Sequence, residues 1–141
     1  MSEEALLSVQ NLAITKDEVK LVEKLSFSLE KGETLAIVGE SGSGKTLSSL
    51  ALMGLLPDRL KLSGTLNFKG RDLAKLSEPE WSKMRGKEIA MVFQEPMSAL
   101  NPSMKCGKQV AEMLQNHGVK EELREKVLVL FRKVELPRVE G

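Results

Sequence analysis

Cysteine is almost absent from this sequence. Only Cys106 occurs among the 141 residues, so neither an internal disulfide nor a CxxC metal site can form. A single thiol suits a reducing compartment such as the cytosol. We expect Cys106 to lie buried or half-buried, as a small apolar side chain.

Excess charge of one sign and long apolar runs are also missing. The 21 basic and 20 acidic residues leave a net charge of +1, which gives no electrostatic reason to expect nucleic acid as a partner. The longest apolar stretch, residues 50–56, is far shorter than the roughly 20 residues that cross a bilayer. The first residues show no signal-peptide pattern. Any connection to a membrane is therefore expected to run through a partner protein.

What the chain does contain is a glycine-rich loop. Residues 39–46 read GESGSGKT and match the pattern GxxxxGK[ST]. An apolar run at 35–38 precedes the loop and a helix-like stretch at 47–56 follows it. This order of strand, turn and helix aims backbone N–H groups and the positive end of a helix dipole at one point. The pattern predicts a phosphate-binding loop that holds a nucleoside triphosphate.

The residue types in the loop suit that chemistry. Its glycines allow backbone angles that a side chain would forbid. Lys45 brings a positive charge to the β- and γ-phosphates, and the hydroxyl of Thr46 can bind Mg²⁺, which prefers oxygen ligands. The predicted nucleotide-binding residues are Gly39, Glu40, Ser41, Gly42, Ser43, Gly44, Lys45, Thr46 and Leu47.

Hydrophobic periodicity predicts a mixture of strands and helices along the rest of the chain. Strands are predicted at residues 6–14, 21–29, 35–38, 64–70 and 89–93, and helices at 47–56, 77–86, 107–117 and 121–134. The run 89–93 is apolar throughout, so we expect burial on both of its faces. An apolar stripe along the last helix comprises Leu123, Val127, Leu130, Phe131 and Val134.

Two segments together resemble the nucleotide-binding domain of ABC transporters. Residues 34–46, TLAIVGESGSGKT, look like its Walker A segment. Residues 90–102, AMVFQEPMSALNP, look like the Q-loop of the dipeptide, oligopeptide and nickel importer group. The second segment is the more specific, because many other ATPases and GTPases share a Walker A loop. The resemblance spans essentially the whole chain.

The resemblance implies an α/β fold. The implied fold is an incomplete P-loop NTPase core of the ABC ATPase type, with an N-terminal antiparallel β subdomain and the start of a helical subdomain. Residues 1–141 would form a partial nucleotide-binding domain, with the β subdomain and P-loop core at 1–96 and the beginning of the helical subdomain at 97–141.

The family's LSGGQ segment, Walker B strand, D-loop and switch histidine would lie beyond residues 134–136, so we expect the N-terminal part of a longer ATPase subunit. Because the Walker B strand lies beside the P-loop strand in the family, its absence would leave residues 34–38 with an open apolar edge. Such an edge favours self-association. His117 comes too early to be the switch histidine and is expected at an exposed helix end.

By the same resemblance, the cofactors are ATP and Mg²⁺, and ATP binding and hydrolysis drive import of a solute, with peptide expected. Gln94 would reach Mg²⁺ and the attacking water. Lys45 and Gln94 are therefore the implied catalytic residues, and Thr46 and Gln94 the implied metal ligands. The implied partners are membrane-spanning permease subunits, a second ATPase subunit in a head-to-tail dimer and, indirectly, a solute-binding protein, all at the cytoplasmic face of the membrane.

Two departures from the family pattern and two alternatives complete the prediction. No aromatic residue lies near Lys16 to stack on adenine, and Leu47 stands where the family often has Ser or Thr.

Residues 97–101 and 121–134 are the expected contacts with the permease. The 141-residue chain by itself is expected to bind ATP with little or no turnover. One alternative is a nucleotide-binding fragment that does not hydrolyse ATP. The other, a GTP-binding switch, is disfavoured because the sequence has no NKxD segment.

Overall fold

The computed structural model describes residues 5–94 and 99–137. Internal contacts divide the chain into two compact units, Met1–Ser82 and Lys83–Gly141. Each unit is described by itself below. The division at residue 96 that the family resemblance implies stays a prediction.

The first unit contains a four-stranded antiparallel sheet. Its strands are β1 (Leu7–Lys16), β2 (Val19–Leu29), β3 (Lys61–Phe68) and β4 (Arg71–Asp72), in the spatial order β2-β1-β3-β4. β1 and β2 form a hairpin whose register runs from Leu7 opposite Leu29 to Lys16 opposite Val19. This sheet confirms the predicted antiparallel β subdomain. β1, β2 and β3 begin or end within a few residues of the predicted bounds, whereas β4 was not predicted.

A β-bulge keeps the apolar residues of β1 on one face of the sheet. Val9 and Leu12 are both buried although they are three residues apart, so strict alternation would send them to opposite faces. The register shifts between Gln10 and Ala13 opposite β3, and Asn11 has a φ of +50°. One additional residue is thereby absorbed, and the side chains of both segments reach the same core. The core residues that are at most 2% exposed include Val9, Leu12, Ile14, Leu66 and Leu73.

The helices between residues 45 and 84 are short. α1 spans Lys45–Leu52, a 3₁₀ turn spans Leu73–Lys75, and α2 spans Glu78–Met84. At the start of α2, the Ser77 amide and hydroxyl both donate to the Glu80 carboxylate, at 2.8 and 2.5 Å. This interaction satisfies polar groups at the helix start, and it agrees with the helix predicted to begin at Ser77.

Two of the predicted strands are not formed. Residues 35–38 and 89–93 take part in no strand ladder; the second run has only one isolated bridge, between Arg85 and Ile89. Val38 is 89% exposed and Val92 is 94% exposed. The predictions of a strand before the glycine loop and of a strand buried on both faces are therefore wrong for this structure. The physical reason is that a parallel strand is buried only when neighbouring strands and helices cover it.

The second unit consists mainly of two packed helices, α3 (Cys106–Asn116) and α4 (Leu123–Lys133). They approach closely at Gly107, where an added Cβ would lie 3.7 Å from a Val127 methyl group and 3.9 Å from the Phe131 ring. Along α4 only part of the predicted stripe is covered: Val127 is buried, whereas Leu130 and Val134 are exposed.

Two single-residue predictions in this unit need correction. Cys106 is exposed rather than buried, because it occupies the first turn of α3 with few neighbours. His117 does end α3, as predicted, but its side chain is half-buried beside Gly86, where an added Cβ would lie 3.2 Å from Nε2. Within residues 5–94 and 99–137, no helix combines the length and apolarity that a bilayer crossing requires.

Candidate nucleotide site

The first turn of α1 offers unpaired backbone donors. Gly44 is the N-cap residue and supplies no side-chain cap, and the first bond along the helix runs from the Ser48 amide to the Gly44 carbonyl at 2.9 Å. The preceding amides at the helix start therefore lack an intrahelical acceptor. Since they also lie at the positive end of the helix dipole, they form a place where an anion is stabilised.

Gly44 is required at this position for two reasons. Its φ is +90°, a left-handed conformation that L side chains rarely adopt. In addition, an added Cβ would lie 2.4 Å from a Val22 methyl group and 3.0 Å from the Leu21 carbonyl oxygen, both in β2. The loop can therefore approach the sheet only because residue 44 has no side chain. Gly42 also has a positive φ, +80°, but an added Cβ there would meet nothing.

The Lys45 ammonium lies over the loop that precedes it. It donates to the carbonyl oxygens of Gly39 and Glu40, each at 2.6 Å, and to Ser43 Oγ at 3.2 Å. The Thr46 side chain, one residue further, is exposed. A positive charge, a free hydroxyl and the uncapped amides are thus collected within one turn of chain, which is the donor set that a phosphate chain and its cation need.

A cavity of about 430 Å³ lies between β2 and the loop. Its lining includes Val22 and Glu23 on the strand and Lys45 and Ser48 on the other side. Lys20 donates a hydrogen bond to the Glu23 carboxylate at 2.5 Å, and this bond lowers the pKa of Glu23. Glu23 is therefore an anion that already has a cationic partner.

Gln94 belongs to the second unit, where it is an exposed residue in a bend at the end of the unpaired run 89–93. Residues 95–98, which carry part of the predicted Q-loop, lie outside the described residues. The catalytic and metal-binding roles of Gln94 therefore stay predictions.

A turn at the end of the predicted Q-loop is fixed by Gln109 of α3. Gln109 Oε1 accepts from the Asn101 amide at 3.0 Å, and its Nε2 donates to the carbonyl oxygens of Asn101 and Met104, at 3.0 and 2.9 Å. All the polar atoms of one side chain are thus used to hold residues 101–104 against α3. Sequence reasoning missed Gln109, because a glutamine in a polar helix carries no signal of such contacts.

Comparison with protein families matches residues 22–140 to the ABC transporter family. This chain belongs to that family. The match includes the loop, α1 and the segment around Gln94, so the two motifs of the sequence lie inside one recognised ABC domain.

Named relatives of this ABC domain are ATP-binding proteins of peptide transport. The chain is 46% identical to the dipeptide transport ATP-binding protein DppD of Lactococcus lactis, over 99% of this chain and 42% of that protein. It is 46% identical to the oligopeptide transport ATP-binding protein OppD of Bacillus subtilis, over 96% of this chain and 40% of that protein. It is 47% identical to Escherichia coli OppD, over 81% of this chain and 35% of that protein. The chain thus spans about 35 to 42% of the length of these relatives.

A solved structure supports the ABC fold. A chain described as the ATP binding subunit of an ABC transporter superposes with a TM-score of 0.60 at 22% identity, covering 90% of this chain and 49% of its own length. The α/β fold predicted from the sequence, a partial ABC ATPase domain with an antiparallel β subdomain, is confirmed.

The ABC loop fits the nucleotide and cation that the family uses. Within residues 5–94 and 99–137, no group of three or more His, Cys, Asp or Glu side chains is arranged to hold a metal ion by itself. The exposed Thr46, next in sequence to Lys45, instead offers a hydroxyl that suits a cation sharing its oxygen ligands with phosphates. The donors present are therefore appropriate for a triphosphate with Mg²⁺.

Proposed function

We propose that residues 39–47 bind ATP with Mg²⁺, and that this ABC domain belongs to a subunit that couples ATP binding and hydrolysis to import of a solute, most simply a peptide. The uncapped start of α1 with the Lys45 ammonium beside it carries the proposal. The names of the relatives support the choice of peptide as the solute class.

The backbone amides, Lys45 and Thr46 have distinct tasks in this proposal. The amides at the start of α1 bind phosphate oxygens, Lys45 neutralises charge on the β- and γ-phosphates, and the Thr46 hydroxyl binds the cation. Gln94 would be a second cation ligand and would orient water, since its amide offers both an acceptor and donors without being a strong base. ATP supplies the phosphoryl group, and the protein contributes positioning and positive charge rather than a covalent intermediate.

The partners of the whole subunit are also part of the proposal. They are membrane-spanning permease subunits, a second ATPase subunit packed head to tail and, indirectly, a solute-binding protein, at the cytoplasmic face of the membrane. Residues 97–101 and 121–134 are the proposed permease contacts. Leu130 of α4 and Val134, which caps its end, are exposed apolar side chains suited to an interface.

Cysteine crosslinking tests the permease contacts. With Cys106 first replaced by serine, a cysteine at position 130 or 134 should crosslink to a permease subunit in membranes, whereas a cysteine at Gly70, in the turn between β3 and β4, should not. Absence of crosslinks from both α4 positions would refute the α4 contact.

Binding without hydrolysis is the second candidate function. One observation favours it: the run 35–38 that leads into the loop has no strand partner and is exposed. Phosphoryl transfer depends on exact positioning of charges, and such positioning needs rigid support. A loop whose leading segment is unpaired can bind phosphates and still be slow in turnover.

Calorimetric titration with Mg-ATP, with phosphate release followed in the same samples, tests both candidates. Binding should be saturable and should weaken about ten-fold or more in Lys45→Ala, because a charge-assisted hydrogen bond is lost. Lys61→Ala in β3 is the matched control and should bind as the unmodified chain does.

Phosphate release that depends on Lys45 would favour the ATPase, and binding without release would favour the second candidate. Absence of saturable binding would refute the nucleotide site, and tighter binding of GTP would reinstate the GTP-binding switch.

A further inference from the structure

The Lys45 ammonium is held by one side chain as well as by the backbone. Two of its acceptors, the carbonyl oxygens of Gly39 and Glu40, belong to the main chain and exist whatever the side chains are. Ser43 Oγ, at 3.2 Å, is the third acceptor. In the part of the chain that the structure describes, Ser43 is thus the only side chain that is hydrogen-bonded to this ammonium. Of the three hydrogen bonds, only this one can be removed by substituting the acceptor residue.

Ser43 also accounts for the glycine at position 39. Gly42 and Gly44 have positive φ angles, whereas Gly39 does not, so the backbone at 39 would accept alanine. Space is what prevents it: an added Cβ would lie 2.6 Å from Ser43 Oγ and 3.3 Å from Ser43 Cβ. A side chain at 39 would therefore displace the hydroxyl that holds Lys45.

We infer that Ser43 is a positioning residue that fixes the Lys45 ammonium over the loop, and that residue 39 must be glycine so that the Ser43 hydroxyl can stay in place. The effect of Ser43 on nucleotide binding rests on the proposed function, in which the Lys45 ammonium is the charge that meets the phosphates.

The physical effect is preorganisation of a flexible side chain. An ammonium has three N–H donors, and here each has an acceptor. A lysine loses much rotamer freedom when it is fixed, so a lysine that is already fixed binds its ligand more tightly than a free one. The contact to Ser43 is the longest of the three, so that donor can be shared with a phosphate oxygen when one arrives.

Acylation of lysines in the full chain without nucleotide tests the Ser43 contact directly. A side-chain nitrogen that is held by three hydrogen bonds must break them before it can reach the reagent, so Ser43→Ala should raise the labelling rate of Lys45 about five-fold, as expected for loss of one hydrogen bond. Peptide mass spectrometry gives the rate for each lysine, and Lys61 should not change. Ser43→Thr keeps a hydroxyl and should keep the slow rate.

Ser49→Ala is the matched control, because the Ser49 hydroxyl bonds to the Lys45 carbonyl oxygen at 3.2 Å and not to the ammonium. It should leave Lys45 labelling unchanged. Equal Lys45 rates in Ser43→Ala and the unmodified chain would overturn the inference. So would a rise shared by all lysines, which would mean general loosening of the fold.

A double substitution tests the link to residue 39. Gly39→Ala should speed Lys45 labelling and weaken Mg-ATP binding about five-fold, whereas in a Ser43→Gly background the same substitution should add nothing. Equal effects of Gly39→Ala in both backgrounds would overturn the steric link. If the unmodified chain bound no Mg-ATP, the proposed function would fail, while the labelling rates would still decide the role of Ser43.

Discussion

The antiparallel sheet and the two apolar runs at 35–38 and 89–93 are made of similar residues, but only the sheet buries them. Leu12 and Ile14 of β1 are 0% exposed, whereas Val38 and Val92 are 89% and 94% exposed. β1 has a hydrogen-bonded neighbour on each side, β2 and β3. Apolar content alone therefore does not bury a segment; a paired backbone and a covered face do.

The difference follows from how far away each partner lies along the chain. β2 begins three residues after β1 ends, so the hairpin forms from local sequence. A parallel strand needs a crossover connection and cover on both faces. The predictions below break or sharpen this comparison, beginning with the largest expected effect.

Leu12→Ala should cost about 3 to 5 kcal/mol of unfolding free energy, because it removes a fully buried side chain between two paired strands. Val38→Ala is the contrasting substitution in the unpaired run and should change the free energy by less than about 0.5 kcal/mol. Urea unfolding of both variants measures the two values. Equal losses would mean that residues 35–38 are buried in solution.

Gly64→Ala should cost about 2 to 3 kcal/mol, because it combines strain and a backbone collision. Gly64 has a φ of +98°, and an added Cβ would lie 2.5 Å from the Asn11 carbonyl oxygen at the bulge of β1. Gly70→Ala is the control: φ is +76° but the space is open, so only about 1 kcal/mol of backbone strain is expected. A lower thermal unfolding midpoint for Gly64→Ala than for Gly70→Ala would support the bulge as a constraint on register. Equal midpoints would contradict it.

Gln109→Ala should loosen residues 101–104 with a global cost of about 1 kcal/mol, because three hydrogen bonds to backbone groups are lost, two of them exposed to solvent. Hydrogen exchange should quicken at the Asn101 amide, whose acceptor is the Gln109 side chain. Gln115→Ala, at the other end of α3, should leave that amide unchanged. Unaltered exchange in Gln109→Ala would show that the turn is held by other contacts.

Val92→Lys should have the smallest effect on unfolding, because this side chain is almost fully exposed. It should instead reduce self-association, since a charge on an unpaired apolar segment opposes edge-to-edge pairing. Sedimentation at increasing protein concentration compares the variant with the unmodified chain and with Lys83→Ala as a surface control. A chain that stays monomeric at all concentrations would contradict the prediction that its unpaired runs self-associate.

The parts of the fold that sequence could predict are those whose partners are local. β1, β2 and the helices around Trp81 and Val127 were predictable from periodicity, and the start of α1 from the glycine pattern. The absence of strand pairing at 35–38 and 89–93 was not predictable, since apolar runs of that length do not say whether a neighbouring strand is present. Neither was the exposure of Cys106, which depends on what packs beside the first turn of α3.

The candidate site likewise has features that sequence could predict and features that it could not. The glycines and Lys45 follow from a motif with a known mechanism. Glycine is needed at the two positions for different reasons. At Gly39 a side chain would collide with Ser43, whereas Gly44 has a positive φ and lies against β2. The sequence motif alone does not distinguish these reasons. The contact of Ser43 with Lys45 and the bonds of Gln109 likewise depend on coordinates.

The packing of Trp81 on Gly54 makes the chain its own optical reporter. Trp81 is the only tryptophan and the chain has no tyrosine. The indole is 6% exposed and so close to Gly54 that an added Cβ there would lie 2.3 Å from the ring. Gly54 lies two residues beyond the end of α1, the helix that Lys45 begins. The emission wavelength of a single unlabelled fluorophore should therefore report whether the helix that carries the loop is folded.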